Sequence, residues 1–170
     1  SRDWSSDVCS SDLEVIRPFE VPEYIILNVD NCFATPIGQT PIDLGADIVI
    51  HSATKWIDGQ GRVLGGAIVG RKDLIHEMYL FCRATGPSLS PFNAWVLSKS
   101  LETLEVRMER HCSNALFLAE KLEGHSKINF VKYPFLTSHP HYAIAKKQMK
   151  NGGGIVCFEI KGGIEAGRQF

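Results

Sequence analysis

Short apolar runs that end in polar residues mark the strands of this chain. Buried strands are predicted at residues 24–31 (YIILNVDN), 47–52 (DIVIHS) and 65–70 (GGAIVG). The first of these runs has the pattern of a strand buried in a parallel sheet. Gly45, between the first two runs, is placed to end a short helix. The segment between the second and third runs is too rich in glycine for a helix, so we expect a loop that returns like a hairpin.

Apolar residues recur at helical spacing through the middle of the chain. One helix is predicted from residue 72 to residue 83, and TGPSLSP (residues 85–91) interrupts the pattern. A single long helix is then predicted from about Phe92 to Leu122, ending before Gly124. The residues that mark its inner side are Leu97, Leu101, Leu104, Met108, Leu116 and Leu118.

After residue 124 the pattern predicts a second and smaller α/β unit. Two strands, in INFVKYP (residues 128–134) and GGGIVCFEIKGG (residues 152–163), flank a loop and a short basic helix. A further helix begins in GIEAGRQF, where the sequence stops, and we therefore expect the chain to be cut off. A change in composition near residues 110–125 is the expected boundary between the two units.

Composition and charge exclude several classes of protein. The 170 residues are 44% hydrophobic and 22% charged, with a net charge of -1, which is ordinary for a folded domain. No apolar run reaches the roughly 20 residues of a membrane-spanning helix, and the charge gives no reason to expect nucleic acid or a membrane as a partner. The five cysteines form no CxxC pair, which indicates a reducing, cytoplasmic setting rather than disulfides or a zinc site.

The first thirteen residues differ in kind from the rest. SRDWSSDVCSSDL contains five Ser and three Asp and shows neither an apolar period nor the features of a signal peptide. The string resembles a translated sequencing adapter, and a disordered tail is the alternative. We therefore leave residues 1–13 out of the fold prediction as a non-native tail.

Lys55 carries the candidate chemistry. It follows the second predicted strand, and open α/β sheets bind their ligands at the carboxyl ends of strands. A solvated lysine has a pKa of about 10.4, whereas an enclosed lysine loses its charge more easily and can condense with an aldehyde. Ser52 and Thr54 lie two residues apart, so an extended backbone would turn both hydroxyls to one side, where they can bind a phosphate. Together these residues predict a site for a phosphate-bearing aldehyde.

Asp30 supplies the second half of this prediction. It lies at the end of the preceding strand, and its separation from Lys55 along the chain matches a strand, a crossover and the next strand. A right-handed crossover would place both residues at the same edge of the sheet. A carboxylate there can keep a pyridinium nitrogen protonated, which makes the ring an electron sink.

Each of these residues also has a simpler interpretation. Taken alone, Lys55 is a surface lysine and Asp30 caps a turn. Ser52 and Thr54 could equally bond to backbone groups of the loop. GQGRVLGG (residues 59–66) lacks the arrangement of a nucleotide-binding loop, so we reject that reading.

Arginine and histidine residues raise two further questions. Arg62 contacts either the ligand region or a subunit interface, and the sequence favours neither. His139 and His141 flank a proline, and we expect them to face solvent because metal binding requires further ligands.

Three segments of the chain resemble a known family. Residues 29–66 (from VDNCF to RVLGG), 90–108 (SPFNAWVLSKSLETLEVRM) and 138–148 (SHPHYAIAKKQ) are similar to the cysteine and methionine metabolism group of pyridoxal-phosphate enzymes. The resemblance extends from Leu27 to Phe170. The paired VDN and HSATK motifs are specific at this separation, whereas SxTK alone would be weak.

The resemblance implies a fold and its division. It implies an α/β architecture that is part of the aspartate-aminotransferase-like (fold type I) transferase fold, with a mainly parallel sheet, helices, and the start of a small C-terminal α/β domain. Residues 14–112 would be the C-terminal part of the large cofactor-binding domain, and residues 113–170 the first part of the small domain. A homotetramer whose cofactor sites are shared between subunits is also implied.

The resemblance further implies a role for each site residue. Lys55 would bond covalently to pyridoxal 5'-phosphate and later move protons at the substrate carbons. Asp30 would hold the pyridinium nitrogen, while Ser52 and Thr54 would bind the phosphate.

The chain departs from the family pattern at two positions. Cys32 stands where Thr is commonest, and Trp56 stands where Tyr or Phe is usual; neither change removes a group that the cofactor needs. The family's upstream phosphate loop, its stacking tyrosine, the Tyr and Arg lent by a neighbouring subunit, and its downstream carboxylate-binding arginine lie outside this sequence. We therefore expect a central slice of an enzyme.

The implied activity of the intact enzyme is γ-replacement in methionine biosynthesis. An amino-acid substrate, O-succinylhomoserine, would react with sulfide to give homocysteine and succinate. A γ-synthase or γ-lyase of the same family is the first alternative, because the contacts that separate these activities lie mostly outside this chain. The alternative of another class is a truncated, non-catalytic chain that lacks a complete cofactor site.

Overall fold

The computed structural model describes residues 25–170, in which a three-stranded sheet comes first. Strand β1 (Asn28–Asp30) pairs in parallel with β2 (Ile48–Ser52), and β2 pairs antiparallel with β3 (Gly66–Gly70). The chain thus returns from β2 to β3 like a hairpin, as predicted. The tail expected at residues 1–13 lies outside the described residues.

Strand β3 is less buried than its apolar sequence predicts. Ile68 and Val69 are 47% and 48% exposed, whereas Val49 on β2 is 1% exposed. The prediction of a buried third strand is therefore wrong within residues 25–170. An apolar run predicts that a strand is covered, but it does not determine which part of a protein covers it.

Short helical segments connect the strands. Helix α1 (Thr35–Gly38) and a 3-10 helix (Pro41–Leu44) follow β1. The 3-10 helix ends at Gly45, whose φ of 99° favours glycine, so that prediction is confirmed. The segment after β2 was expected to be a loop throughout, yet Ala53–Ile57 forms a turn of π-helix.

The long helix expected over residues 92–122 is two helices. Helix α2 (Lys72–Thr85) is followed by α3 (Pro91–Leu101) and α4 (Leu104–Leu122). At the break, the Thr103 hydroxyl donates a hydrogen bond to the Ser100 carbonyl (3.3 Å). Such a bond competes with the backbone ladder, and a pattern of apolar positions cannot register it.

Helix α4 packs into two hydrophobic clusters. The first contains Ala53, Ile57, Val63, Val96, Leu97, Leu104, Met108 and Cys112. The second contains Ala115, Ala119, Tyr133 and Leu136. Leu101, the last residue of α3, and Leu118, on α4, were predicted to face inward, but they are 51% and 46% exposed. The domain boundary expected after residue 112 falls within α4, and the division into a large and a small domain stays a prediction.

The rest of the chain forms a two-stranded antiparallel sheet with two short helices. Strand β4 (Ile128–Lys132) pairs with β5 (Cys157–Ile160). Helix α5 (Tyr142–Gln148) lies between them in sequence, and α6 (Gly163–Gln169) follows. Their order matches the strand, short helix, strand and helix predicted after residue 124, while the division into two units stays a prediction. Within residues 25–170, no helix has the length and apolarity needed to span a membrane.

Met108 should contribute strongly to stability because its side chain is fully buried in the first cluster. We expect Met108→Ala to lower the free energy of unfolding by about 2–5 kcal/mol through lost burial and the cavity left behind. Val106→Ala is the matched control, since Val106 lies on the same helix and is 63% exposed, and it should change stability by less than about 0.5 kcal/mol. Urea unfolding measures both, and equal losses would contradict the assignment of this core.

Candidate functional site

The carboxyl ends of β1 and β2 form one edge of the sheet. Asp30 is the last residue of β1 and lies beside Ile50 in the parallel register, and Ser52 is the last residue of β2. Lys55 lies just beyond Ser52, inside the π-helical turn. Asp30 and Lys55 therefore share this edge, and the ammonium is near enough to help lower the pKa of the carboxyl.

Asp30 is held as an ionised carboxylate. Partial burial raises its pKa, but hydrogen bonds from Cys32 and the positive charges of Lys55 and His51 outweigh that effect, so the pKa lies below its ordinary value. The Cys32 amide donates to Oδ1 of Asp30 at 3.0 Å. At neutral pH the carboxylate can therefore accept a hydrogen bond from a protonated ring nitrogen.

Cys32 links the two parallel strands. Its buried sulfur accepts a hydrogen bond from the Ser52 amide at 2.7 Å, and the thiol donates to the Ile50 carbonyl at 3.9 Å. Burial and the neighbouring Asp30 raise the pKa of the thiol, which keeps it protonated. A threonine hydroxyl can also accept one bond and donate another, so the cysteine preserves this bonding pattern.

Lys55 is exposed rather than enclosed within residues 25–170. Its Nζ lies 4.8 Å from the centroid of the Phe33 ring, a distance at which a cation is attracted to an aromatic face. The described residues therefore do not enclose the amine, and its enclosure in the complete protein stays a prediction. Phe33 was not singled out from the sequence, because only the fold brings the residues after β1 beside the turn after β2.

Ser52 and Thr54 differ in what their hydroxyls bind. The Thr54 hydroxyl accepts a hydrogen bond from the Gly65 amide (3.0 Å) and donates to the Gly65 carbonyl (3.3 Å). The Ser52 hydroxyl has no hydrogen-bond partner among the described residues. Because β2 ends at Ser52 and Thr54 lies in a helical turn, the argument from alternation along an extended backbone was wrong. Thr54 therefore fastens the start of β3, while Ser52 remains open to a ligand.

A buried carboxylate braces the turn after Lys55. Asp58 accepts hydrogen bonds from the Arg62 amide (2.7 Å) and from Arg62 Nε (3.0 Å), and the side chain of Asp58 is 0% exposed. Burial raises the pKa of Asp58, but the hydrogen bonds and charge of Arg62 lower it by more. The pKa of Asp58 therefore lies below its ordinary value. Arg62 also donates to the Ser100 hydroxyl at 2.7 Å.

Arg62 has contacts within this chain that the sequence did not predict. Within this chain its guanidinium forms an internal ion pair with Asp58 and ties the glycine-rich loop to α3. The choice between a ligand region and a subunit interface stays a prediction, since the Arg62 side chain is 43% exposed. Asp58 was not singled out from the sequence, because nothing in the sequence distinguishes a buried aspartate from an exposed one.

His139 and His141 are half-buried rather than solvent-facing. Their ring centroids lie 6.0 Å apart. Burial, then the charges of His141 and Lys132, lower the pKa of His139. No group of three or more histidine, cysteine or carboxylate residues in the described part of the chain is arranged to hold a metal ion.

The sequence profile of one family, described as Cys/Met metabolism PLP-dependent enzyme, matches residues 8–170. The chain belongs to this family. The predicted resemblance is thereby confirmed.

Curated relatives in this family carry two different activities. The O-succinylhomoserine sulfhydrylase of Pseudomonas aeruginosa is 52% identical over 145 residues, which cover 85% of this chain and 36% of that protein. That of Mycobacterium tuberculosis is 50% identical over 133 residues, which cover 78% of this chain and 33% of that protein. The L-methionine gamma-lyase of Porphyromonas gingivalis is 46% identical over 150 residues, covering 87% and 38%. The chain thus spans little more than a third of the length of these relatives.

Solved structures of the family share the fold. A cystathionine gamma synthase from Xanthomonas oryzae pv. oryzae, in complex with aminoacrylate and cysteine, matches with a TM-score of 0.83 and 40% identity, covering 85% of this chain and 38% of that chain. An apo methionine gamma lyase from Micromonospora echinospora matches with a TM-score of 0.79 and 37% identity, covering 81% and 38%. The predicted α/β fold class is confirmed.

The residues at the sheet edge fit the family's cofactor, pyridoxal phosphate. A primary amine at Lys55 matches an aldehyde, and the ionised carboxylate of Asp30 matches a protonated ring nitrogen. The open hydroxyl of Ser52 matches a phosphate oxygen. The three groups lie at one edge because β1 and β2 are parallel.

Asp58 should make the stability of the protein depend on acid pH. Its folded pKa is depressed, so its contribution is fully present above the unfolded value of about 3.9 and is lost as the pH falls through the folded value. We expect unfolding free energies of Asp58→Asn to be lower than wild type at neutral pH and to converge with wild type as the pH falls below about 4. Denaturant unfolding from neutral pH into this range measures the difference.

Asp43→Asn provides the control for this measurement. Asp43 is exposed and its removal should leave a pH profile parallel to that of wild type. An Asp58→Asn profile that also stays parallel would show that the buried ion pair does not couple folding to protonation.

Proposed function

We propose that the complete protein catalyses γ-replacement on an activated homoserine ester, converting O-succinylhomoserine and sulfide to homocysteine and succinate. The observation that carries this proposal is the position of Asp30 and Lys55 at one edge of the sheet. Two relatives at least half identical over their aligned residues are O-succinylhomoserine sulfhydrylases. DGQGR (residues 58–62) and LSPFNAW (residues 89–95) also resemble that enzyme, which supports the choice of substrate.

In this proposal each side chain has a defined role. Bound pyridoxal phosphate supplies an electron sink that stabilises negative charge on the carbons of the amino-acid substrate. Asp30 keeps a proton on the ring nitrogen through its ionised carboxylate. Lys55 would hold the cofactor through its amine and would move protons at the substrate carbons, so that succinate can leave and sulfide can add.

The hydroxyls of Ser52 and Thr54 would bind the phosphate of the cofactor. Ser52 donates to it directly, since its hydroxyl is not engaged by any described residue. Thr54 can do so when its proton turns away from the Gly65 carbonyl, because the hydroxyl keeps the hydrogen bond that it accepts from the Gly65 amide. The loop and the ligand therefore share one side chain.

A second candidate has the same site and a different outcome at the γ-carbon. Methionine gamma-lyases are 45–48% identical to this chain over the aligned residues, and the matching Xanthomonas structure is a cystathionine gamma synthase. Replacing sulfide by cysteine, or O-succinylhomoserine by methionine, separates the three activities in one assay. Homocysteine formation that requires sulfide supports the proposal, whereas cystathionine formation or release of a sulfur compound from methionine supports the alternatives.

Lys55→Ala should abolish the reaction. We expect homocysteine formation from O-succinylhomoserine and sulfide by the complete gene product to fall by about 10²-fold or more, since Lys55 moves the protons. Lys72→Ala is the control, because Lys72 is an exposed lysine at the start of α2 and should retain the wild-type rate. Borohydride reduction and peptide mass spectrometry should find the pyridoxyl group on Lys55, and a label on another lysine or full activity without Lys55 would refute the assignment.

The 170-residue chain on its own should bind the cofactor weakly. Lys55 is exposed and the described residues cover only one side of it, so the amine gains little from desolvation. Titration with pyridoxal phosphate, followed by the visible absorbance of the lysine-bound cofactor, should show no tight saturable binding. Tight binding would show that residues 1–170 form a complete cofactor site.

We further propose that the complete protein is a cytoplasmic homotetramer. The described cysteines Cys32, Cys82, Cys112 and Cys157 are free thiols, which supports a reducing compartment. Large apolar side chains such as Phe81, Phe92 and Trp95 are 67%, 67% and 58% exposed, and such residues favour contact with a further surface.

A further inference from the structure

An arginine from α4 reaches across to the turn that carries Lys55. Arg107 Nη1 donates to the Trp56 carbonyl at 2.7 Å, and Nη2 donates to the Ile57 carbonyl at 3.0 Å. Nη2 also donates to the Ser100 carbonyl at 2.9 Å, and Nε donates to the Thr103 hydroxyl at 3.1 Å. One guanidinium therefore joins the two residues after Lys55 to the break between α3 and α4.

Gly59 leaves the space through which this arginine passes. A Cβ atom built on Gly59 would lie 2.2 Å from Arg107 Nη1, far inside van der Waals contact. Gly59 also has a φ of +72°, which disfavours other residues. Two constraints therefore favour glycine at position 59: its positive φ and the close approach of Arg107.

The turn needs such a partner because its backbone is irregular at the lysine. Lys55 has φ -83° and ψ -113°, which are not helical values, so the turn is kinked at this residue and its backbone hydrogen bonds do not follow a regular helical ladder. The Asp58 amide bonds to the Ala53 carbonyl and the Gly59 amide to the Lys55 carbonyl. The carbonyls of Trp56 and Ile57 are satisfied instead by Arg107, which supplies donors in a rigid, planar fork.

We propose that Arg107 is a positioning residue for Lys55. By holding the carbonyls of the next two residues, its guanidinium fixes the backbone of the turn and so the place from which Lys55 Nζ extends toward Asp30. Arg107 touches neither Lys55 Nζ nor Asp30, so it acts through the backbone. The proposal deepens the proposed function and, for its catalytic consequence, rests on it.

The first test uses the complete gene product without added cofactor. Hydrogen exchange should be at least about tenfold faster for the amides of Asp58 and Gly59 in Arg107→Gln than in wild type, because the turn opens locally. Arg107→Lys should lie between the two, since one ammonium cannot reach three carbonyls in the geometry of the fork. Unchanged exchange in Arg107→Gln would overturn the proposal whether or not the protein binds pyridoxal phosphate.

The second test measures reaction at Lys55. Labelling of Lys55 by pyridoxal phosphate and borohydride should slow about tenfold in Arg107→Gln, kcat should fall with little change in KM, and methylguanidinium should restore part of the labelling rate in Arg107→Ala. Labelling at the wild-type rate in Arg107→Gln would overturn the proposal. If wild type is not labelled at Lys55, the proposed function fails, and the exchange experiment alone decides whether Arg107 holds the turn.

Two control variants separate positioning from general stability. Arg110→Gln removes an exposed arginine from the same helix and should match wild type in exchange, labelling and activity. Leu136→Ala creates a cavity in the second cluster, away from the turn, and should lower the melting temperature without slowing the labelling of Lys55. Equal slowing in Leu136→Ala and Arg107→Gln variants of equal melting temperature would reduce Arg107 to a structural residue and overturn the proposal.

Discussion

The parallel pairing of β1 with β2 is the constraint on which the site depends. Two strands joined by a hairpin point their carboxyl ends in opposite directions, whereas a crossover brings both ends to one edge. Here α1 and the 3-10 helix form that crossover, and the register sets Asp30 beside Ile50. A slip of one residue would turn Asp30 to the other face of the sheet. The distance between the carboxylate and the amine is therefore a consequence of strand pairing.

Buried polar contacts hold the turn after β2. The turn spans Ala53–Ile57 and is kinked at Lys55, whose backbone is not helical, and a short helix is not stable by its own propensity. Asp58 binds the loop that follows, and Arg62 and Arg107 tie this region to Ser100. Because α3 ends near Ser100, its carbonyl is available to Arg107. The break in the predicted long helix and the shape of the lysine turn thus have a common physical basis.

The chemistry of the site comes from a carboxylate, an amine and a hydroxyl that have few bonding partners among the described residues. Asp30 stays ionised because Cys32 donates to it and Lys55 lies near, and Cys32 occupies a threonine position while keeping both of the bonds that link the strands. Ser52 offers an open hydroxyl, whereas Thr54 is already bonded to Gly65. An ionised acid, an exposed amine and an open hydroxyl at one edge complement the three reactive ends of pyridoxal phosphate.

The sequence by itself determined the order of the elements around the site, the candidate residues and the family. Apolar runs located β1 and β2, and the spacing of Asp30 and Lys55 predicted a shared edge, because strand periodicity and crossover length are local properties of a chain. Gly45 and the return into β3 were predictable for the same reason.

Only the tertiary structure decided which residues support that site. Arg107 lies about fifty residues after the carbonyls that it binds, and no local pattern connects them. The burial of Asp58, the internal role of Arg62, the exposure of β3 and the break at Thr103 likewise depend on neighbours that are distant in sequence. Periodicity reports which face of an element is apolar, but the partners of a buried charge or a backbone carbonyl are set by packing between elements.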